Sequence, residues 1–473
     1  MSQSLNLDDR HLGLVTDLYE LTMAAGYHVY GMADQRATFE LWVRRLPSCR
    51  NYLVAAGLEQ AVHYLRHLSF APEQITYLRQ HPAFRHVPNN WFERLASLHF
   101  ECDVWAVPEG TVVFAGEPLL RVTGPLMQAQ LIETYLITTL TAQTLVASKA
   151  ARTVTAAQGR PVFDFGSRRA HGPQAGLLAA RASYIAGCTG TSNTEAARLL
   201  GIPSLGTQAH SWIMAFSDEQ EAFRKFGELF PDASTLLIDT RDTLQGARNA
   251  IASGAAMQAV RLDSGDLGQL SKEVRAILDD ADRQDVKIVA SGDLNEYKIR
   301  DLLAKGAPID LFGVGTELAT SRDEPTLNVV YKLVEQETPQ GTFGRFKLSQ
   351  GKKNYPHPKQ VYRQRDAHGT FCGDRIVKAL PPTPTLPHQG GGSHSPSPLV
   401  GEGWGGGEQG DPLLVPLLRH GELVEALPSL EEIRRRCAEQ VSRLPKELLA
   451  LEPCQSYPVE VSEELEAELS RRG

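Results

Sequence analysis

The most regular pattern along the chain is an alternation of short apolar runs, polar loops and amphipathic stretches between residues 161 and 316. Each apolar run spans only three to five residues and is followed at once by glycine or charged residues. Short β-forming runs that alternate with helices are typical of parallel sheets, so the pattern predicts an α/β barrel. The runs are 161–165, 203–205, 235–238, 259–262, 287–290 and 309–312.

The helices between these runs have recognisable apolar faces. The clearest follows Asp266, where Leu267, Leu270, Val274, Ile277 and Leu278 recur at helical spacing. Residues 128–157 are predicted to form one long helix, with Pro125 suited to its first turn. In barrels of parallel strands, the loops at the carboxyl ends of the strands build the active site. We therefore expect the polar loops to share one rim.

The amino-terminal part has a different pattern. Residues 15–23 read as a helix capped by Thr16, and Tyr19 within it is either a core aromatic or a ring presented to a ligand, with the core interpretation favoured. A strand is predicted over 37–43 and a helix over 53–68. Three further short strands complete a small α+β domain with an antiparallel sheet. These strands are 103–107, 111–114 and 119–123.

The carboxyl-terminal part returns to the smaller domain. Strands are predicted over 345–348 and 360–362, and a helix capped by Ser429 opens the tail. Nine of the thirty residues in 381–410 are Gly and six are Pro, a composition that cannot bury a core and predicts a mobile insert. The expected organisation is a sandwich part (1–124), a barrel (125–344), a return to the sandwich (345–380), the insert (381–410) and a helical tail (411–473).

Length, charge and cysteine content limit the functional classes. A chain of 473 residues exceeds the usual size of one hydrophobic core, so two domains are expected. The formal net charge of −8 argues against a general nucleic-acid binder. No apolar run is long enough to cross a membrane, and the amino terminus lacks the features of a signal peptide, which predicts a cytoplasmic protein. Six widely spaced cysteines show no metal-binding or redox pattern.

The loops that follow the apolar runs carry a consistent set of chemical groups. Arg168, Arg169 and Arg261 are cations suited to carboxylate or phosphate groups. Four aspartates could hold ribose hydroxyls or Mg²⁺, and three glycine-bearing loops offer backbone N–H groups to phosphate. The aspartates are Asp239, Asp263, Asp266 and Asp293, and the loops are 206–207, 291–292 and 313–316.

Each of these features has a plainer interpretation. His210, in Gly-Thr-Gln-Ala-His (206–210), could be a base or nucleophile, or a turn histidine bonded to backbone. The segment 263–266 could be a turn that caps its helix, a Gly-x-Gly can be structural, and paired arginines often form a solvated face or an ion-pair network. Their occurrence on one rim favours a phosphorylated sugar and a carboxylate-bearing partner. A Walker P-loop and the type I phosphoribosyltransferase signature are both missing.

Five motifs in order resemble those of nicotinate phosphoribosyltransferases. The match runs from about residue 12 to 365 and returns weakly over 412–460. The resemblance implies a type II phosphoribosyltransferase, with an irregular, seven-stranded TIM-like α/β barrel and a smaller α+β sandwich domain built from both chain ends. The motifs are TDLYELTM (16–23), FDFGSRRA (163–170), GTQAHS (206–211), VRLDSGD (260–266) and GVGT (313–316).

The resemblance also implies a reaction. Nicotinate and phosphoribosyl pyrophosphate would give nicotinate mononucleotide and pyrophosphate, coupled to hydrolysis of ATP with Mg²⁺, in a homodimer. His210 would be the phosphorylated histidine, whereas the metal ligands remain open. A nicotinamide-specific enzyme and an inactive nucleotide-binding relative are the alternatives. The substrate-binding residues would be Tyr19, Arg168, Arg169, Thr207, Arg261, Asp263, Ser264, Gly265, Asp266, Gly292, Gly313, Gly315 and Thr316.

Two segments depart from the family pattern. Where the family commonly has Lys-Leu-Ser-x-Gly-Lys ending in Pro-Gly, this chain reads KLSQGKKNYPHPK over 347–359. The insert 381–410 is the second departure, and it lies outside the matched motifs.

Overall fold

The computed structural model describes residues 7–347, 354–380, 410–454 and 456–472. The amino-terminal part contains four helices and five strands in these ranges. They are α1 Leu18–Val29, β1 Arg36–Val43, β2 Leu53–Val54, α2 Leu58–His67, α3 Pro72–Gln80, α4 Asn89–Ala96, β3 Asp103–Ala106, β4 Val112–Val113 and β5 Pro118–Pro125.

The sequence-based elements of this part are largely confirmed, with two corrections. Thr16 does not cap α1; its hydroxyl donates to the carboxylate of Glu20, and Asp17 occupies the N-cap. The helix predicted over 53–68 begins only at Leu58. Gly57 has φ +102°, and a Cβ there would lie 2.8 Å from the carbonyl oxygen of Thr139, so the chain turns before the helix.

The middle part alternates strands and helices as five of the six apolar runs predicted. The strand expected over 203–205 is wrong, because Ser204 forms only an isolated bridge, and β7 was not predicted. The helix expected over 128–157 is interrupted at Ile132, which separates α5 from α6. The elements are α5 Leu126–Leu131, α6 Glu133–Ala156, β6 Val162–Asp164, α7 Pro173–Ile185, β7 Gly190–Thr191, α8 Thr194–Leu200, α9 His210–Met214, α10 Glu219–Leu229, β8 Thr235–Leu237, α11 Thr243–Ala252, β9 Ala259–Leu262, α12 Leu267–Asp280, β10 Lys287–Ala290, α13 Glu296–Ala304, β11 Leu311–Val314 and α14 Thr316–Ala319.

Six of these strands form one parallel sheet in the order β7-β6-β11-β10-β9-β8. A parallel bridge between Thr191 and Ser204 extends the sheet beyond β7. The Oε1 atom of Gln208 then accepts a hydrogen bond of 3.1 Å from the amide of Leu237 in β8, at the opposite edge. The described residues thus form a mixed α/β fold with a parallel sheet, while the closed seven-stranded barrel stays a prediction.

The carboxyl-terminal part joins both ends of the chain. Its elements are β12 Val329–Thr338, β13 Gly341–Gly344, β14 Lys359–Arg365, β15 Phe371–Lys378, β16 Asp411–Pro412, β17 Val415–Arg419, β18 Glu422–Leu423, α15 Leu430–Ser442, α16 Lys446–Leu449, β19 Val459–Val461 and α17 Glu463–Arg472. A seven-stranded sheet has the order β13-β12-β1-β5-β3-β17-β18, so strands from both chain ends pair with each other.

The predictions for this part had mixed outcomes. Ser429 caps α15 and forms a capping box with Glu432, as expected. The strand predicted over 345–348 is wrong for 345–347, because β13 ends at Gly344; residue 348 lies outside the described residues. Most of the insert, 381–409, also lies outside them.

Two hydrophobic clusters underlie these sheets. One packs around β1, β3 and β5, and the other packs around β6 and β8 to β11. The domain boundaries themselves stay predictions. In the described ranges no helix is long and apolar enough to cross a membrane. No disulfide joins the six cysteines, all of which lie in the described ranges.

Candidate active site

The loops at the carboxyl ends of β6, β7 and β9 surround a cavity of about 650 Å³ together with the segment that precedes α9. Three of the residues predicted to bind substrate line it, namely Arg168, Thr207 and Arg261. Its lining consists of Phe165, Ser167, Arg168, Ala170, Gly172, Pro173, Ser192, Leu205, Gly206, Thr207, Gln208, Ala209 and Arg261. The sequence therefore pointed to loops that line this cavity. It did not single out Phe165, Ser167 or Gln208, which line it as well.

Arg261 is fixed on the wall of this cavity by three side chains. Its Nε donates to Ser291 Oγ at 2.7 Å, Nη1 donates to Thr207 Oγ1 at 2.6 Å, and Nη2 donates to Asp263 Oδ1 at 2.7 Å. The residue lies within β9 and is only 9% exposed. Expecting it on a loop rim was wrong, because the strand extends through residue 262. A guanidinium held on three sides is a preorganised anion-recognition group.

Asp263 is the counter-charge of Arg261. Burial works to raise the pKa of Asp263, but the hydrogen bond from Ser291 and the charge of Arg261 outweigh it and hold the pKa below its usual value. The carboxylate is therefore ionised at neutral pH. Asp239 lies beside it, and its Oδ2 accepts from the Asp263 amide at 3.0 Å and from Ser264 Oγ at 2.6 Å. The other oxygen, Oδ1, is buried without a partner among the described residues.

The rest of the 263–266 motif is structural. Asp266 is exposed, and its Oδ1 accepts from the amides of Gly268 and Gln269, which caps α12. Gly265 has φ +80° and supplies the turn before that cap. Neither residue lines the cavity. The helix-capping interpretation thus holds for this half of the motif, and its predicted substrate contact stays a prediction.

The glycine-bearing loops after β10 and β11 also have packing roles. A Cβ on Gly292 would lie 2.0 Å from the carbonyl oxygen of Asp263, and one on Gly313 would lie 2.4 Å from the ring of Phe165. Gly315 is less crowded, with its nearest such contact at 3.3 Å. Gly315 and Thr316 are half-buried at the start of α14. None of the four lines the 650 Å³ cavity, so their predicted phosphate contact stays a prediction.

Arg168 and Arg169 end a short 3₁₀ turn, and both are exposed. Within the described part of the chain neither has an ion pair, so the ion-pair alternative does not apply. Only Arg168 lines the cavity.

A network that the sequence analysis did not identify supports this turn. Asp164 accepts from the Gly166 amide and from Thr191 Oγ1, both at 2.8 Å, and Asn193 donates to Ser167 Oγ at 2.8 Å. Burial raises the pKa of Asp164 despite these hydrogen bonds. The sequence feature that could have indicated this network is Asp164, an acid within the apolar run 161–165 and the last residue of β6.

His210 is the first residue of α9 and is half-buried. Its Nδ1 lies 3.1 Å from the hydroxyl of Thr240, in the loop after β8. The ring is therefore bonded to a side chain and not to backbone, which contradicts the simple turn interpretation. Nε2 has no hydrogen-bond partner among the described residues. Ala209, the preceding residue, lines the cavity, whereas His210 itself is not among the lining residues.

Tyr19 does not belong to the core. Its side chain is 45% exposed on α1, and the residue does not line the cavity. Burial of part of the ring, together with the charges of Glu133 and Glu20, raises the pKa of Tyr19. The core interpretation is therefore wrong. Its predicted contact with nicotinate stays a prediction.

The described residues contain no group of three or more His, Cys, Asp or Glu side chains that could hold a metal ion. A dedicated protein cage for Mg²⁺ is thus not present in the described ranges. Mg²⁺ that arrives with substrate phosphates needs only one or two carboxylates. The unpartnered Oδ1 of Asp239 fits that simpler requirement.

Comparisons with known proteins agree on one family. Three family models match the chain: the nicotinate phosphoribosyltransferase N-terminal domain (14–141), the nicotinate phosphoribosyltransferase family (161–348) and the C-terminal domain (358–468). Nicotinate phosphoribosyltransferase pncB2 of Mycobacterium tuberculosis H37Rv is 44% identical, covering 98% of this chain and 94% of that protein. The nicotinate phosphoribosyltransferase of Bacillus subtilis is 40% identical over 75% of this chain and 74% of that protein.

Two solved structures are similar to this chain over nearly its whole length. The crystal structure of human nicotinic acid phosphoribosyltransferase superposes with a TM-score of 0.80 at 30% identity, covering 97% of this chain and 100% of that one. A nicotinate-nucleotide pyrophosphorylase from Pyrococcus furiosus superposes with a TM-score of 0.71 at 25% identity, covering 94% and 99%.

Proposed function

The chain belongs to the nicotinate phosphoribosyltransferase family, and we propose that its cavity transfers a phosphoribosyl group to nicotinate. In this reaction the bond from C1′ to pyrophosphate breaks and a bond from C1′ to the ring nitrogen forms. Nicotinate mononucleotide results, which serves NAD salvage from nicotinate. The observation that carries the proposal is the presence of an unpaired cation, Arg168, and a fixed guanidinium, Arg261, on one cavity wall.

Recognition of the base follows from these two cations. A charge-assisted hydrogen bond to the nicotinate carboxylate contributes about 1.5–3 kcal/mol. The uncharged amide of nicotinamide lacks the ionic part of this interaction. Among the described residues Arg168 has no acceptor, so binding a carboxylate breaks no ion pair within that part of the chain. Phe165 lines the same cavity and offers an aromatic surface to the planar base. The arrangement favours the acid over the amide.

Transfer at C1′ passes through an oxocarbenium-like state, so catalysis depends on positioning and charge. Asp239 and the ionised Asp263 would hold ribose hydroxyls and stabilise positive charge on the sugar. Backbone N–H groups of Gly315 and Thr316 would receive the 5′-phosphate, as the family motif implies. Arg169 would contact the leaving pyrophosphate from the exposed turn.

Coupling to ATP would pass through His210. The free Nε2 would attack the γ-phosphorus of ATP, so an N–P bond forms while the bond to ADP breaks. Thr240 would fix the ring by its contact to Nδ1. Phosphohistidine next to the cavity adds negative charge beside the arginines, which can order loops and change substrate affinity.

Mg²⁺ would be held by Asp239 and Asp263 together with substrate phosphates. Bound there, it would neutralise charge on the pyrophosphate. We further propose a cytoplasmic homodimer. Tyr19, which is exposed on α1, would then contact nicotinate in the site of a second copy.

The deciding experiment identifies the product by mass. The full chain is mixed with Mg-ATP, phosphoribosyl pyrophosphate and either nicotinate or nicotinamide. Nicotinate mononucleotide is expected, with Arg168→Gln strongly impaired and the exposed Arg248→Gln unchanged as a matched control. Preferred turnover of the amide would assign the chain to the nicotinamide alternative. Absence of either nucleotide would indicate an inactive relative.

A further inference from the structure

A second cavity, of about 440 Å³, lies where β1 ends and the segment before β19 passes. It shares no lining residue with the 650 Å³ cavity. Three arginines line it, Arg44, Arg45 and Arg50, and no lining residue is acidic. In a chain whose net charge is −8, such a wall is a local concentration of positive charge.

Only one of the three arginines is neutralised. Arg50 holds Asp323 with both terminal nitrogens, at 2.5 and 2.9 Å. Arg44 and Arg45 have no ion pair and donate no side-chain hydrogen bond in the described part of the chain. The cavity therefore carries about two uncompensated positive charges. Arg45 is exposed and Arg44 is half-buried, so both are reachable from solvent.

The wall also contains donors that lack acceptors. The Nε atoms of Arg44 and Arg50 are buried without a partner among the described residues. A buried unsatisfied donor costs about 1–3 kcal/mol, and more when it is charged. Asn51 fixes the opposite wall, because its side chain donates to the carbonyls of Ala450 and Glu452 and accepts from the Cys454 amide. The Asn51 wall is thus formed in advance, and because the two Nε atoms are buried, the terminal guanidinium nitrogens of Arg44 and Arg45 are the donors left for a ligand.

We propose that this cavity binds a phosphate-bearing anion, either orthophosphate or a small phosphate monoester. Arginine forks match the oxygens of a phosphate, and the Ser48 hydroxyl adds a further donor at the same wall. The volume exceeds that of orthophosphate alone, which leaves room for a short organic group. Leu46, Pro47 and Pro453 supply the apolar surface for such a group. The site would be distinct from the proposed catalytic cavity.

Equilibrium dialysis with radiolabelled orthophosphate tests the proposal on the full chain. Phosphate retained by Arg168→Gln, which lacks the unpaired cation of the catalytic cavity, is counted beside that of the wild type, so that binding at the two cavities is separated. The second cavity should retain about one phosphate per chain in both proteins. Arg44→Gln/Arg45→Gln should raise the Kd of that site at least tenfold, whereas Arg248→Gln on α11 should leave it unchanged. Because neither Arg44 nor Arg45 has a side-chain partner among the described residues, the double variant should melt no lower than the wild type.

Further arms separate the possible outcomes. Arg44→Lys/Arg45→Lys keeps the charge and should bind with an intermediate Kd. Stronger competition by glycerol phosphate than by orthophosphate would identify a monoester as the ligand. Unchanged phosphate binding in the glutamine double variant, or no phosphate retained by the wild type, would overturn the proposal. The number of phosphates bound per chain is measured without turnover. The dialysis result can therefore support this proposal even if the proposed enzymatic activity is not found.

Discussion

Lys149 on α6 offers the sharpest test of how the interior of this protein is held together. Its side chain is fully buried, with Nζ 2.7 Å from Glu296 Oε2, 3.3 Å from Glu317 Oε2 and 3.1 Å from Asp323 Oδ1. Arg152 also contacts Glu296, at 3.2 Å, and Arg50 contacts Asp323. The buried cluster therefore contains three cations and three carboxylates, and the exposed Arg322 contacts Glu317 from outside at 3.6 Å.

This balance sets the expected cost of removing one cation. Burial works to raise the pKa of Asp323, but hydrogen bonds and charge from Arg50 and Lys149 outweigh it and hold the pKa far below its usual value. Lys149→Met keeps much of the side-chain volume but leaves one buried carboxylate without compensation. Breaking a buried pair in this way destabilises a protein by about 3–5 kcal/mol. We expect a loss of that size.

A second variant separates charge from packing. Glu296→Gln in the Lys149→Met background restores equal numbers of charges, so the double variant should melt at a higher temperature than Lys149→Met alone. Coupling between contacting residues of this kind is about 0.5–3 kcal/mol. The assay compares thermal midpoints of wild type, both single variants and the double variant at one scan rate, together with urea midpoints.

The cluster also contacts the proposed phosphate loop. Glu317 directly follows Thr316, so loss of its cation should raise the KM for phosphoribosyl pyrophosphate more than the KM for nicotinate. If Lys149→Met melts like the wild type, or if the double variant loses the sum of the two single losses, charge balance does not stabilise this interior. Equal changes in both KM values would show that the cluster does not influence the proposed phosphate loop.

Three further predictions concern single side chains. Arg261→Lys should raise the KM for nicotinate at least tenfold and lower the free energy of unfolding by about 1–3 kcal/mol, since Ser291 and Thr207 lose a donor; steady-state kinetics and thermal melting check both. His210→Asn should abolish ATP hydrolysis and acid-labile phosphate on the protein while slow, ATP-independent synthesis survives; retained phosphate on the variant would exclude this histidine. Burial and the neighbouring Asp374 raise the pKa of Glu117 well above its ordinary value. The folded state then binds more protons than the unfolded state above about pH 4.5, so stability falls as pH rises. Glu117→Gln should therefore gain stability over the wild type at pH 8 and gain little at pH 5; a pH-independent difference in melting temperature would contradict this.

The periodicity of the sequence was sufficient for most of the fold. Apolar runs located β6 and β8 to β11 to within about two residues, because short buried strands between glycine-bearing loops leave few alternatives. The break at Ile132 and the late start of α2 were not predictable from that signal. Both depend on contacts with distant parts of the chain, such as the approach of Gly57 to Thr139. Local patterns contain no information about such contacts.

The candidate site was predictable in its loops but not in its geometry. Arg168, Thr207 and Arg261 meet at one cavity because the parallel strands of one sheet all end at the same edge. The partners of Arg261 could not be derived, since Ser291 and Thr207 lie 30 and 54 positions away in the chain. The exposure of Tyr19 was missed for a related reason. An aromatic residue at helical spacing has the same pattern whether it faces a core or a second protein copy.

The matched motifs contain residues with packing or capping roles as well as residues whose polar groups have no partner among the described residues. Gly292 cannot carry a side chain because the carbonyl of Asp263 is too close, and Asp266 is occupied with the amides of α12. Substitution of either would impair the site through folding, and lost activity there would say nothing about substrate. Arg168 and His210 differ, because each presents a cation or a ring nitrogen with no partner among the described residues. Loss of activity without loss of stability at these two positions is therefore the result that assigns chemistry to the site.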